Sequence, residues 1–332
     1  MEEEAIVLKI DELNKLFNYT NKIKIICIST TANVNNPSIY FGAIRETETT
    51  IAGNIIISDA KYLSMIIPAF DGKVDFFFVD VEEKNNLKNL CGKLTALVAI
   101  SEIHYYKPND ITVESVDEFI ACQCGNLQQK NVLVIGAGNI GSKISLKLSE
   151  RGATVWLYGP DISRTEKIID ALNQIKRGSG YILQQKSVLQ CTILYDIIIG
   201  CSPGVPVVEK KHVDLITSEG IIIDVGNGTI CADAIAYAKK KGIFVFCASI
   251  MPGYSGYIER WDSTVRLLSS MGREKVNEDV SLISVGLIGA YGEVLVSDLG
   301  NKNSIIGVCD GKGDILCHEK AKFIINKVKG ND

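Results

Sequence analysis

The sequence predicts an α/β protein built on a doubly wound parallel sheet, with a second, smaller α/β domain beside it. Three observations carry this. The chain has 332 residues, beyond the length at which one core usually stops growing. From Asn131 onward short apolar runs alternate with helical patterns, the arrangement of a parallel sheet covered on both faces. A glycine-spaced loop follows the first of those strands and opens the first of those helices.

The elements follow from periodicity. Ile10, Leu13, Leu16 and Phe17 form one apolar face of an N-terminal helix. Strands are expected over 22–28, 51–57 and 74–81, and a helix over 60–67. Leu87, Leu90, Leu94 and Leu97 recur at helical spacing, which predicts a helix over 87–98. Tyr105 to Asp110 reads as a loop, followed by a helical pattern through Val113, Val116, Phe119 and Cys122. Strands then fall at 132–135, 154–158, 181–183, 197–199, 221–225 and 243–247. Between them lie helices at 140–150, 162–175, 211–216 and 232–240, with a short one after 183. A helix over 258–268 shows Ile258, Trp261, Val265 and Leu268 on one face. Strands at 293–297 and 304–308 form a hairpin expected to pack back on the N-terminal unit. The domain junction is placed at the 105–110 loop. Residues 1–110 form the substrate domain, with 279–332 as its candidate completion, and 111–278 form the nucleotide domain.

Composition removes whole classes of function. Hydrophobic residues are 46% and charged residues 22%, so a core can be buried. A net charge of −4, with no basic stripe among aromatics, excludes nucleic acid as the partner. Ten cysteines lie scattered without zinc spacing. Cys122 and Cys124 diverge on a helix, and Cys317-His318 lacks partners, so no metal site is expected and the thiols read as reduced. The acidic start Met1-Glu2-Glu3-Glu4 is unlike a secretory signal, and the apolar stretch 280–292 is too short to cross a bilayer. The expectation is a cytoplasmic homodimer with a small-molecule substrate.

The glycine loop carries the chemistry. In Val132-Leu133-Val134-Ile135-Gly136-Ala137-Gly138-Asn139-Ile140-Gly141, Gly136 permits the tight turn and Gly138 leaves room for a pyrophosphate. Gly141 lets helix approach strand. Amides of the helix start, around Asn139 and Ile140, then face the phosphates. This is the Rossmann-type signature for NAD(P); the ATP-type GxxxxGK[ST] is absent. Where an NAD site carries an acid, the chain has Tyr158-Gly159-Pro160-Asp161 and then Ser163-Arg164. Asp161 either folds back onto the ribose or caps the next helix. Ser163 and Arg164 suit a 2′-phosphate, so the balance leans to NADP.

From Asp110 to Arg260 the chain resembles the amino-acid-dehydrogenase-like superfamily, especially shikimate dehydrogenase and methylenetetrahydrofolate dehydrogenase. Asp110 and the helix after it, Leu127 to Asn131, and the glycine loop are similar to that family's entry into its nucleotide domain. Ser163-Arg164-Thr165 resembles its basic turn, and Tyr195 to Gly204 its cofactor-passing loop with Cys201 and Ser202. Gly220 to Asn227 is similar to the strand ending beside the nicotinamide at Gly226, and Met251 to Gly256 stands in place of a proline-glycine loop with Gly253. The lysine-bearing motif of either enzyme is not found in the N-terminal half, and residues after Asp279 match neither. The resemblance implies a Rossmann fold, a nicotinamide cofactor and hydride transfer in an interdomain cleft, with Asp110 as the family's catalytic aspartate.

Ligands of open α/β sheets collect at the carboxyl ends of strands, which groups Gly136, Ser202, Gly226 and Gly253. Lys107 beside Asp110 is the leading proton-shuttle candidate; the competing reading makes Lys107 a solvated loop residue and Asp110 a helix cap. Asp80, Glu82 and Lys84 are the reserve cluster. Cys201 is a nucleophile only if a base such as His212 reaches it. The primary reading is an NAD(P)-dependent oxidoreductase of a hydroxy acid, amino acid or cyclic imine. Alternatives are a non-catalytic NAD(P) sensor or interaction module, and a lyase or hydrolase using tightly bound NAD.

Overall fold

In a computed structural model that describes residues 3–33, 35–84, 87–185, 193–277, 280–301 and 304–329, the chain divides into two units, Met1–Gly256 and Tyr257–Asp332. The first unit holds two sheets. The opening helix α1 (Glu3–Asn18) buries Ile6, Ile10, Leu13 and Phe17; Leu16, expected inside, is exposed, because the steps of four, three and four residues from Ile6 to Phe17 define the buried stripe.

Strands β1 (Ile23–Thr30), β2 (Ile39–Phe41), β3 (Arg45–Glu46), β4 (Thr50–Ile57), β5 (Phe76–Asp80) and β6 (Glu102–Tyr106) form the first sheet, in the order β2-β4-β1-β5-β6 with β3 also on β4. β1, β4, β5 and β6 are parallel; β2 and β3 run antiparallel to β4. Side chains alternate across a strand. One face sends Ile26, Ile28, Ile51, Ile55, Ile57, Phe77 and Val79 into an apolar core under α1, α2 (Leu63–Phe70) and α3 (Leu90–Thr95). The register puts Cys27, Ser29, Tyr40, Arg45, Asn54, Asp80, His104 and Tyr106 on the opposite face.

Two expectations are corrected here. The 87–98 helix is only α3: Asn89 takes a left-handed φ of 54° and caps it through the Gly92 amide, and Leu97 is exposed. Tyr105-Tyr106 is the end of β6, and helix α4 (Pro108–Cys124) starts at once, with Pro108 in the first turn, where a missing N–H costs nothing.

The second sheet is wholly parallel, with β7 (Asn131–Ile135), β8 (Thr154–Tyr158), β9 (Tyr181–Gln184), β10 (Tyr195–Gly200), β11 (Ile216–Asp224) and β12 (Phe244–Cys247) in the order β12-β11-β10-β7-β8-β9. That is the Rossmann doubly wound order. Val132 and Val134 face α4, α5 (Asn139–Glu150) and α6 (Ile162–Ile175), and Leu133 and Ile135 face α7 (Lys210–Val213) and α8 (Ala232–Lys240). The expected 211–216 helix stops at Val213, since Ile216 pairs with Tyr195 and opens β11. The short helix expected after 183 lies outside the described residues.

Met251 to Gly256, expected as a loop, is the start of α9 (Met251–Ser270). The Gly253 amide donates to Ser115 Oγ at 2.8 Å, so the glycine serves the approach of α9 to α4. Of the face expected over 258–268, Ile258 and Trp261 are buried, while Val265 and Leu268 are exposed. The second unit carries its own sheet, β13 (Arg273–Lys275), β14 (Ser281–Ser284), β15 (Val294–Val296) and β16 (Ile305–Val308), with α10 (His318–Lys329). Val280, Leu282, Val294, Val296 and Val308 pack there with Ala321 and Val328.

Candidate active site

The carboxyl ends of β7, β10 and β11 are tied together by backbone bonds: Cys201 N–H donates to Ile135 O at 2.8 Å and Val225 N–H to Gly200 O at 3.0 Å. At this edge the three loop glycines meet different constraints. Gly136 has φ +125°, and a Cβ there would lie 2.8 Å from the Cys201 carbonyl carbon. A Cβ on Gly141 would strike the Gly136 carbonyl oxygen. Above Gly138 there is nothing within 4 Å. The turn is thus open at Gly138, beside the first amides of α5, which lack intrahelical acceptors.

Two cavities meet at Gly138. One, of about 450 Å³, is lined by Tyr158, Gly159, Pro160, Asp161, Arg164 and Thr165 together with Gly136 to Gly138. The other, of about 630 Å³, runs from Gly138, Asn139 and Ile140 past Cys201, Ser202 and Gly226 to Thr30, Thr31, Asn33, Glu82, Lys84 and Asn109 of the first sheet's edge. Gly138, Cys201, Ser202 and Pro203 line both. In the smaller cavity no acid ends β8: Tyr158 does. Asp161 caps α6, accepting from the Arg164 amide at 2.9 Å, as the capping alternative held. Arg164 lines the cavity; Ser163 is exposed in the first turn of α6 and is not among its lining residues.

Across the larger cleft stands the reserve cluster. The Asp80 carboxylate is fully buried and accepts from Thr30 N at 2.9 Å, Thr30 Oγ1 at 2.7 Å and Glu82 N at 2.7 Å. Lys84 Nζ donates to Asp80 at 2.9 Å and sits 3.5 Å from Glu82. Glu82 in turn accepts from the Asn109 amide at 2.9 Å, at the start of α4. Thr30, Thr31 and Asn33 escaped the sequence reading, and Asn109 entered it only as part of the junction stretch. The available signal was their position at the carboxyl ends of parallel strands and at a helix start.

Lys107 and Asp110 do not line either cavity. Asp110 pairs with Lys107 at 3.0 Å and with Lys143. Burial raises the Asp110 carboxyl, but the hydrogen bonds from Lys143 and Lys107 outweigh it and hold it below its ordinary range. The pair is the first rung of a ladder joining α4 to α5: Glu114 with Lys147 at 3.1 Å, and Asp117 with Arg151 in a fork of 2.7 and 2.9 Å. These rungs fix the direction in which the α5 amides point. Gly253 lies inside α9, away from both cavities.

Burial, helped by Asp224, pushes the Cys201 thiol up to about 12, so it stays protonated and is no nucleophile. His212 is buried, and its Nδ1 accepts from the Glu209 amide at 2.8 Å in the capping box of α7. Asp224 shapes the turn beside Gly226 by accepting from Gly228 N at 2.7 Å and Thr229 Oγ1 at 2.8 Å. Among the described residues no group of three or more His, Cys, Asp or Glu could hold a metal, and no helix is long and apolar enough to cross a membrane.

Residues 118–239 match the sequence model of the shikimate/quinate 5-dehydrogenase family. The match runs from within α4 to the last turn of α8 and contains the whole glycine loop. The matched segment is a little over a third of the 332-residue chain. Among solved structures the chain is similar to a shikimate dehydrogenase in complex with NADP+, at 13% identity and a TM-score of 0.43 over 71% of this chain and 88% of that one. It is also similar to L-tryptophan dehydrogenase from Nostoc punctiforme, at 13% and 0.41 over 73% and 74%, and to the A chain of dipicolinate synthase from Bacillus subtilis, at 12% and 0.36 over 75% and 98%. None of these likenesses bears on substrate. No curated protein matches the chain in sequence.

Proposed function

We propose that the protein is an NADP-dependent oxidoreductase acting on a small polar carbonyl or imine, the oxidised partner of a hydroxy acid, amino acid or cyclic amine, held in the larger cleft. Residues 1–110 supply the substrate side and 111–278 the nucleotide side. The observation that carries this reading is that Lys84, clamped to buried Asp80, lines the same cleft as Gly138. Gly136, Gly138, Asn139, Ile140 and Gly141 would seat the pyrophosphate, Arg164 the 2′-phosphate, and Cys201, Ser202 and Gly226 the nicotinamide side. Bound NADPH supplies the hydride.

Lys84 then has the role of proton donor to the substrate oxygen or nitrogen, taking its proton back from solvent. Thr30 and the Glu82 amide hold Asp80 rigid, and Asp80 holds the ammonium in place, so little reorganisation accompanies transfer. Asp110 and Lys107 become positioning residues that act through Lys143 and α5. Lys84→Met should lower kcat by about 10²–10⁴-fold while leaving the NADPH Kd within about twofold, since Lys84 faces the substrate side. Failure of the wild-type protein to bind NADPH, or undiminished turnover in Lys84→Met, would sink the assignment. The nine described free thiols support a reducing, cytoplasmic setting. Light scattering at twice the 36.2 kDa chain mass would support a homodimer, and a monomer mass would refute it.

A further inference from the structure

On the polar face of the first sheet lies a buried cation without a counter-ion. Arg45 is 9% exposed, and its Nη1 has no hydrogen-bond partner. Its guanidinium lies 5.3 Å from the ring centre of Tyr254, whose buried hydroxyl faces the Cys27 thiol. Asn54 Oδ1 on the neighbouring strand is a second buried atom without a hydrogen-bond partner. The groups whose ionisation responds to Arg45 are a thiol and three phenols: Cys27, Tyr40, Tyr106 and Tyr254. Burial pushes all four upward, so each is neutral at neutral pH. Among the described residues no carboxylate stands beside the guanidinium to balance it.

A buried charge is retained when it is paired, and breaking such a pair is costly because the other charge is left uncompensated. Two unpartnered polar atoms on one buried sheet face, Arg45 Nη1 and Asn54 Oδ1, likewise call for an explanation in a native interior. We propose that Arg45, with the Tyr254 hydroxyl, is an internal binding site for a small carboxylate. The planar guanidinium fork matches a carboxylate better than a spherical ion, the phenol adds a donor, and Asn54 Oδ1 accepts from a water that accompanies the anion. The ligand group is small, because Arg45 lines neither large cavity. The patch lies close to the cleft, however: Asn36 donates to Thr31, a cleft residue, at 2.9 Å, and reaches toward the Tyr40 hydroxyl.

Thermal unfolding of the full chain in sodium formate, against sodium chloride at equal ionic strength, tests the site. Wild type should gain a saturable rise in Tm in formate that chloride does not give. Arg45→Met should respond equally to both salts. Should that variant fail to fold, Tyr254→Phe removes only the phenol hydroxyl and should weaken formate binding about tenfold. Formate and a four-carbon hydroxy acid separate the two sources of the group. A response to formate alone assigns a free ion, and competition between them assigns the carboxylate arm of a cleft ligand. Equal responses of wild type to formate and chloride would overturn the proposal. So would a crystal grown in formate that shows only water against Arg45.

Discussion

Gly138 and Gly141 look alike in the motif but differ in what surrounds them, and exchanging each tests the nucleotide site directly. Gly138 has extended backbone angles, φ −91° and ψ −167°, which any residue adopts, and nothing lies within 4 Å of an added Cβ. Gly138→Leu should therefore cost the fold about 1 kcal/mol at most, through a poorer helix cap. It should cost the ligand much more. Two phosphate contacts to helix amides are charge-assisted bonds of about 1.5–3 kcal/mol each, so their loss amounts to about 3–6 kcal/mol, or about 10²–10⁴ in Kd. Gly141→Ala has the opposite expected profile, since its Cβ meets the Gly136 carbonyl and over-packing costs about 1–3 kcal/mol. NADPH fluorescence titration paired with thermal unfolding reads both quantities. The reasoning fails if Gly138→Leu binds NADPH within about twofold of wild type. It fails equally if affinity falls only alongside a loss of Tm as large as that of Gly141→Ala.

The coenzyme preference rests on Arg164 at the smaller cavity: Arg164→Gln should weaken NADPH by about 10–100-fold, one or two tenfold steps for a lost charge-assisted contact, and leave NADH unchanged. Equal losses for the two coenzymes would show that no 2′-phosphate is read there. Asp71, at the end of α2, accepts from the amides of Ala99, Ile100 and Ser101 at 2.8, 3.1 and 2.8 Å. Burial raises its carboxyl, but these amides outweigh that and hold it below the ordinary value. A depressed folded value stabilises above the unfolded value of about 3.9 and is lost as pH falls through the folded one. In urea unfolding, Asp71→Asn should be less stable than wild type at neutral pH, with the gap closing toward about pH 2. A gap that is the same at both ends would remove the carboxylate from the account.

How far the fold was legible depended on whether an element's partners are close in sequence. β8 and α6 fall where periodicity put them, because Thr154–Tyr158 and Ile162–Ile175 each carry their own pattern and Asp161 its own cap. The glycine loop was legible for the same reason. β2, β3 and β6 were not: β2 and β3 are short edge strands defined only by their pairing with β4, and β6 is hidden against the proline that opens α4. Met251 to Gly256 misled in the other direction, since a Pro-Gly pair reads as a loop unless Pro falls in a first helical turn and Gly at a helix crossing, as both do here.

The site follows the same division. Its nucleotide half is one contiguous segment, whereas its substrate half is assembled from Thr30, Lys84 and Asn109, which no spacing joins. Asp80 and Thr30 are hydrogen-bonded across 50 positions of sequence. Asp110 drew notice as an acid at a junction, yet the periodic acids after it, Glu114 and Asp117, already marked it as one rung of a ladder to Lys143, Lys147 and Arg151. The polar sheet face was the least visible of all. Ile23–Thr30 and Thr50–Ile57 each read as a continuous apolar run, and only the register that sets Cys27 beside Asn54 and Arg45 beside Ala52 gathers their few polar groups on one side. A patch of that kind carries no local signal, because each strand contributes only one or two residues and its charge balance exists only after the strands have paired.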